Sequence, residues 1–225
     1  MTSNNRRNDD ASIDKIAVAL LGSPWLEALA ELWKLGKKVW RGLSEEGMYE
    51  VLEHEAILEL VDTKGKRAIV RKRQKVRYLQ NNIVAYQDQA WGDGEILVDY
   101  QCSPGKEADR YRVGHKTNVL ISLREVKERG EEDEFNIQWE FRNSFTQAVE
   151  EWGTEISHRT KRLKIQVVFP RKRQPHQISQ VEHLRQRTNP IKQDAIKRMP
   201  NGRYTATWEI DKPRLHEQYS FKWMW

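Results

Sequence analysis

A single cysteine, Cys102, stands in 225 residues, so no disulfide can close within the chain. Such a chain suits a reducing compartment better than secretion, and the expected location is the cytoplasm. Long apolar runs are also missing. The early apolar stretch at residues 16–21 falls far short of the ~20 residues that a membrane span needs, and no cleavage signal follows it. No phosphate-binding glycine loop, dinucleotide fingerprint or nucleophile elbow is present. The six histidines (His54, His115, His158, His176, His183, His216) fall at no metal-binding spacing. No catalytic residue, cofactor or metal site is therefore expected, and the chain reads as a non-enzyme.

The loop at residues 91–95 is the most unusual in the chain, because Asp88, Asp93, Glu95 and Asp99 surround Gly92 and Gly94. Its acids do not alternate as a calcium loop requires, and one loop cannot set two carboxyls across a sugar. It reads as a glycine turn with Trp91 packed beneath it. Cys102 sits in a turn-like context with no base at hand, and reads as a bystander.

What the chain does have is 39 basic against 33 acidic residues, unevenly spread, and 9 Trp, 7 Tyr and 5 Phe, too many aromatics for a disordered chain. Residues 151–225 carry 16 basic and 7 acidic side chains, whereas residues 45–150 carry 16 and 21. Residues 1–11 read as a disordered tail. Residues 12–43 read as an amphipathic helical segment, with Ser23 as cap, Pro24 in the first turn, and Trp25, Leu29, Trp33 and Trp40 at helical spacing. Three fates are open to that stripe: packing on the chain's own body, docking on a partner protein, or lying on an anionic membrane.

From Tyr49 the apolar period drops to two, and about ten strands are expected over residues 48–225. The fold class is mainly β, an antiparallel β-sandwich with a partly open barrel as the other closure, preceded by the N-terminal amphipathic helix. Phe135, Ile137, Trp139 and Phe141 alternate without a break, as do Tyr219, Phe221, Trp223 and Trp225 at the end of the chain. Residues 155–158 pair in this reading with Leu163, Ile165, Val167 and Phe169 across a turn at 159–161. Residues 178–184 give a weaker strand and residues 189–199 a short helix capped by Asn189.

Residues 63–87 contain eight basic side chains and no acid, which suggests a phosphate grip. The preceding turn argues otherwise. Asp62 and Gly65 suit a three-residue hairpin loop, and that register pairs residues whose numbers sum to 128. Leu60 then meets Ala68, Leu58 meets Val70 and Leu52 meets Val76, while Glu55 meets Arg73 and Glu53 meets Lys75. A one-residue slip would set the glutamates against Ala68 and Val70, which burial forbids. Only Lys72 and Arg77 are left without an evident partner.

The function expected on these grounds is a protein-interaction or regulatory adaptor. Its candidate surfaces are the helix stripe Trp25, Leu29, Trp33 and Trp40, and a basic surface of Arg159, Lys161, Arg162, Lys164, Arg171, Lys172 and Arg173. The alternative is nucleic-acid binding through residues 159–198. A carbohydrate-binding sandwich ranks lower, because most tryptophans sit on the apolar parity of their strands.

Overall fold

The computed structural model describes residues 47–225. The expected tail and the helix carrying Trp25, Leu29, Trp33 and Trp40 lie outside the described residues. Fourteen strands run in order: β1 (Tyr49–Leu60), β2 (Arg67–Tyr78), β3 (Ile83–Ala90), β4 (Glu95–Ser103), β5 (Lys106–Val113), β6 (Lys116–Lys127), β7 (Glu132–Arg142), β8 (Val149–Glu155), β9 (Thr160–Phe169), β10 (Gln177–Glu182), β11 (Arg187–Pro190), β12 (Lys197–Arg198), β13 (Tyr204–Asp211) and β14 (Gln218–Met224). They form three sheets: seven strands in the order β12-β13-β9-β1-β2-β7-β4, four in the order β11-β10-β14-β8, and three in the order β3-β6-β5. The described residues are mainly β, and none of the sheets closes into a barrel.

The β1–β2 hairpin keeps the expected register over most of its length: Leu60 faces Ala68, Leu58 faces Val70, Glu55 faces Arg73 and Glu53 faces Lys75. The Asp62 carboxylate accepts the backbone N–H of Lys64 (2.7 Å) and Arg67 (2.8 Å), which holds the turn. Gly65 is required there. Its φ is +69°, and a Cβ would lie 1.5 Å from the Phe145 carbonyl oxygen, so no side chain fits. One register expectation fails. A bulge at Leu52 puts Val51, not Leu52, opposite Val76. The extra residue resets the parity, so Val51 and Ala56 can both point inward despite their odd spacing.

The sheet is not wholly antiparallel, because β1 and β9 run parallel, with Leu58 opposite Val167. The expected hairpin between residues 155–158 and β9 is not formed. Instead β8 pairs with β14, where Gly153 faces Ser220. A Cβ on Gly153 would sit 2.0 Å from the Tyr219 carbonyl oxygen, so glycine lets β14 close in. Ile156 then exchanges backbone bonds with His216 and Glu217 (2.7 and 3.0 Å), which carries the chain away from β8 before β9 begins.

The helix expected at 189–199 is also absent. β11 pairs with β10, placing Asn189 opposite Gln180, and a single 3-10 turn at Gln193–Ala195 leads into β12. Pro190 is tolerated at that edge because no further strand needs its missing N–H. Strands β3 and β5 are not marked by the apolar pattern. β5 is exposed on both faces almost throughout and shows no apolar alternation.

Buried aromatics join the sheets. Phe169 of β9 meets Trp223 of β14 edge to face at 5.7 Å, and Tyr86 of β3 stacks on Phe135 of β7 at 3.9 Å. Trp139, Phe141, Phe221 and Trp223 are all at most 2% exposed, as their alternation implied. Each large side chain of that kind contributes several kcal/mol through burial.

Candidate functional site

β2 has two faces with opposite electrostatics. Outward, Arg67 pairs with Glu140, Arg71 with Glu59 (2.7 Å), Arg73 with Glu53 (2.9 Å) and Glu134 (3.2 Å), and Lys75 with Glu132 (2.9 Å). Arg77, for which the sequence offers no evident partner, pairs with Glu132 (2.6 Å) and Glu50 (3.4 Å). The acids come from β1 on one side and β7 on the other. Hydrogen bonds from Lys75 and Arg77 hold the Glu132 carboxyl below its usual range. The basic stretch is therefore neutralised where it stands in the sheet.

Inward, the same strand presents Ala68, Val70, Lys72, Gln74, Val76 and Tyr78 to the core. Lys72 is the second residue without an evident partner in the sequence, and its parity explains why: it points into the protein. Its Nζ donates to Asp88 Oδ1 (2.9 Å) and to the Gln89 carbonyl (2.6 Å), and it lies 4.6 Å from the centre of the Trp139 ring. Asp88 sits on β3, so this ion pair bridges the seven-stranded and three-stranded sheets. Tyr100 donates to the other Asp88 oxygen (3.2 Å), and Tyr86 donates to Gln74. Burial, reinforced by Asp88, raises the Tyr100 hydroxyl well above its ordinary pKa and keeps it a donor.

His54, 5% exposed on β1, completes this cluster. Its Nε2 makes no hydrogen bond. Burial first, and the charge of Lys72 second, push its pKa down to about 3, so the ring is neutral. Beside it is a cavity of about 30 Å³ lined by Lys72, Asp88, Tyr86 and His158 among others. That is room for one or two waters and not for a substrate. The cluster has the residue types of an active site, but its lysine, carboxylate and phenol groups are spent on one another.

A second group resembles a catalytic triad by composition. Ser220 donates to Glu151 (2.6 Å), and His183 Nε2 lies 2.9 Å from the Ser220 hydroxyl. Glu151 reaches the same Nε2 as the serine does, so the line of acid, imidazole and nucleophile is not formed. Ser220 is also fully buried. Among the described residues no three His, Cys, Asp or Glu side chains are grouped to hold a metal ion. Trp91 is partly exposed and meets the His115 ring edge to face, and Cys102 is half-buried with its thiol raised by burial.

The expected basic surface divides in two. Lys161 pairs with Glu50, Arg162 with Asp211 and Lys164 with Glu55, all in or beside the sheet, and Arg159 lies at that same end. Arg171, Lys172 and Arg173 follow β9 at its other end, about 30 Å away at the usual rise per residue. There the Arg173 guanidinium donates to the Thr63 carbonyl (2.6 Å) and stacks 3.8 Å over Trp225. That bond ties the loop after β9 to the β1–β2 turn, and so brings Lys64 and Lys66 alongside. Arg198, on β12, lines a hollow with Arg171, whose stem lies against Gly202. Lys64, Lys66, Arg171, Lys172 and Arg198 are exposed and form no ion pair with a described residue. The sequence pattern assigns Lys64 and Lys66 to a neutralised hairpin. They lie in its turn, beyond the reach of the strand glutamates.

No family model matches the chain, and no curated protein does. Among solved structures it is similar to part of an M1 zinc metallopeptidase from Deinococcus radiodurans, at 10% identity and a TM-score of 0.44, over 80% of this chain and 43% of that one. It is also similar to part of Legionella pneumophila aminopeptidase A, solved with aspartic acid, at 13% identity and a TM-score of 0.46, over 80% of this chain and 22% of that one. The chain thus spans less than half the length of either peptidase. A likeness this loose transfers no activity, substrate or metal to the present residues.

Among the described residues no helix is long and apolar enough to cross a membrane, a statement that leaves strands aside.

Proposed function

We propose that this chain is a non-enzymatic interaction module: a β body, stacked as a sandwich, that recognises other molecules through its surface. The observation that supports it is a contrast of commitments. Buried polar groups such as Lys72, Asp88, Tyr86 and Gln74 satisfy one another around a cavity too small for a substrate, whereas exposed cations without an ion pair, Lys64, Lys66, Arg171, Lys172 and Arg198 among them, stand outward. A partner protein engages the stripe Trp25, Leu29, Trp33 and Trp40, and the setting is the cytoplasm, in keeping with the lone Cys102.

The test is the full-length chain carrying Trp25→Ala, Trp33→Ala and Trp40→Ala together. The expected result is loss of a protein partner that the wild type retains, with the thermal melt of the β body unchanged. A lower melting temperature with the partner kept would assign the stripe to the chain's own fold instead.

A further inference from the structure

The end of the large sheet where β1 stops is built from three connections. Lys64 and Lys66 lie in the β1–β2 turn, Arg171, Lys172 and Arg173 in the loop after β9, and Arg198 in β12 just before β13. Of the strands that start or stop here, β2, β1, β9 and β13 are consecutive neighbours in the sheet, flanked by β7 and by β12. At the usual spacing between strands they span about 14 Å. Six cations are thus set along one edge, two in the β1–β2 turn, three in the loop after β9 and one on β12.

Acids stand nearby, Asp93 and Glu95 in the loop bonded to Ser144 beside the Lys66 backbone and Asp194 four residues before Arg198, but none forms an ion pair with these cations. Asp62 is folded into its own turn, where burial is outweighed by backbone N–H bonds that hold the carboxyl below its usual range. Glu150 acts on Arg173 only through space, and its oxygen is taken by the Gln147 N–H. Apolar surface is scarce here too: of the exposed large hydrophobic side chains among the described residues, Val61 (36%), Met224 (43%) and Val149 (43%), which faces Met224, are those on this side. One face of the Trp225 ring is covered by Arg173 and is not open to a base.

The geometry points to a binding site for the phosphodiester backbone of a nucleic-acid duplex, held without base readout. Protein interfaces concentrate aromatic residues at a centre depleted of charge, and this end is the reverse. A polyanion needs only a row of cations. Phosphates along one duplex strand repeat about every 3.4 Å, so a row of about 14 Å faces about four of them. Lys66 and Lys172 contact phosphate directly. The Arg171 stem lies against Gly202, and Arg173 is oriented by the N–H it gives to Thr63. This site is independent of the tryptophan stripe, and either could fail without the other.

The probe is a mixed-sequence 16-base-pair DNA duplex titrated with the full chain across a range of salt. The affinity is expected to fall with salt at a log–log slope of about −4. The full chain with Lys66→Glu and Lys172→Glu should bind at least tenfold more weakly at low salt, with the slope reduced to about −2. The control Lys161→Glu with Arg162→Glu changes the net charge equally at the other end of β9, and should leave the slope unchanged. Equal losses in both doubles would overturn the site, since net charge alone would then explain the binding. So would undetectable binding at low salt. Tighter binding to polyglutamate, or to vesicles with 30% phosphatidylserine, would overturn the duplex in favour of an acidic protein or a membrane.

Discussion

The cations in the body of the seven-stranded sheet and those at its end differ in what surrounds them, not in kind. Within the body, Arg71, Arg73, Lys75 and Arg77 lie between two strands that supply glutamates at matching registers, and each finds at least one. At the end, Lys64, Lys66 and Lys172 emerge from loops and Arg198 from the short edge strand β12, and none of them forms an ion pair with a described residue. Lys72 is the extreme of the first kind, a cation turned into the core and matched by Asp88. A strand can neutralise its charges through its neighbours; a turn at the edge cannot. Charge density along the sequence therefore says little about a binding surface until the partners across the sheet are known.

The sharpest way to break this comparison is at Lys72. Lys72→Met leaves Asp88 buried without its cation and should cost about 3–5 kcal/mol in urea unfolding, whereas adding Asp88→Leu should recover most of the loss. A single variant within 1 kcal/mol of wild type would mean that Asp88 is not buried as a charge.

Next in size is the acid dependence set by His54. Folded, the ring stays neutral down to about pH 3; unfolded, it gains a proton near its ordinary 6.5. The unfolded state thus binds more protons between those values, and stability falls as the pH falls through this window. From pH 6.5 to 5 the loss should approach 2 kcal/mol, at about 1.4 kcal/mol per unit. That range lies above the carboxylate region, where Glu55 is held below its ordinary 4.5 chiefly by a hydrogen bond from Lys164. His54→Leu should flatten the profile, and an unaltered slope in that variant would place the dependence elsewhere.

Smaller again is the outward face. Glu53→Lys with Glu55→Lys removes exposed pairs with Arg73 and Lys164 and should cost about 1–2 kcal/mol, since each such pair contributes only ~0.2–1 kcal/mol. An unchanged unfolding midpoint would show that the pairs do not contribute to the hairpin's stability.

The hairpin is legible in the sequence because Asp62, Gly65 and the alternation of leucine with glutamate all specify one register. So is the inward set Phe135, Ile137, Trp139 and Phe141. The bulge at Leu52 is not, because Leu52 is as apolar as Val51 and either satisfies the pattern. Lys72 does carry a signal: it shares parity with Ala68, Val70 and Val76, and a buried lysine demands a carboxylate. Its partner is out of reach of the pattern because β3, written Ile-Val-Ala-Tyr-Gln-Asp-Gln-Ala, lacks a clean alternation. The parallel placement of β9 beside β1 depends on contacts between residues about 100 positions apart, which no local period records. The cationic end is hidden for the same reason. Lys66 and Lys172 are far apart in the chain and are brought together by the Arg173–Thr63 bond.

The central claim is that charge in the body is committed to folding, and that of Lys64, Lys66, Lys172 and Arg198 at the end is not. It is tested most directly by urea unfolding of two charge-reversal doubles with equal net charge. Arg71→Glu with Arg73→Glu should lower the stability by about 1–2 kcal/mol. Lys66→Glu with Lys172→Glu should stay within about 0.5 kcal/mol of wild type. Equal losses in the two would contradict the account, because the end cations would then be holding the fold together too.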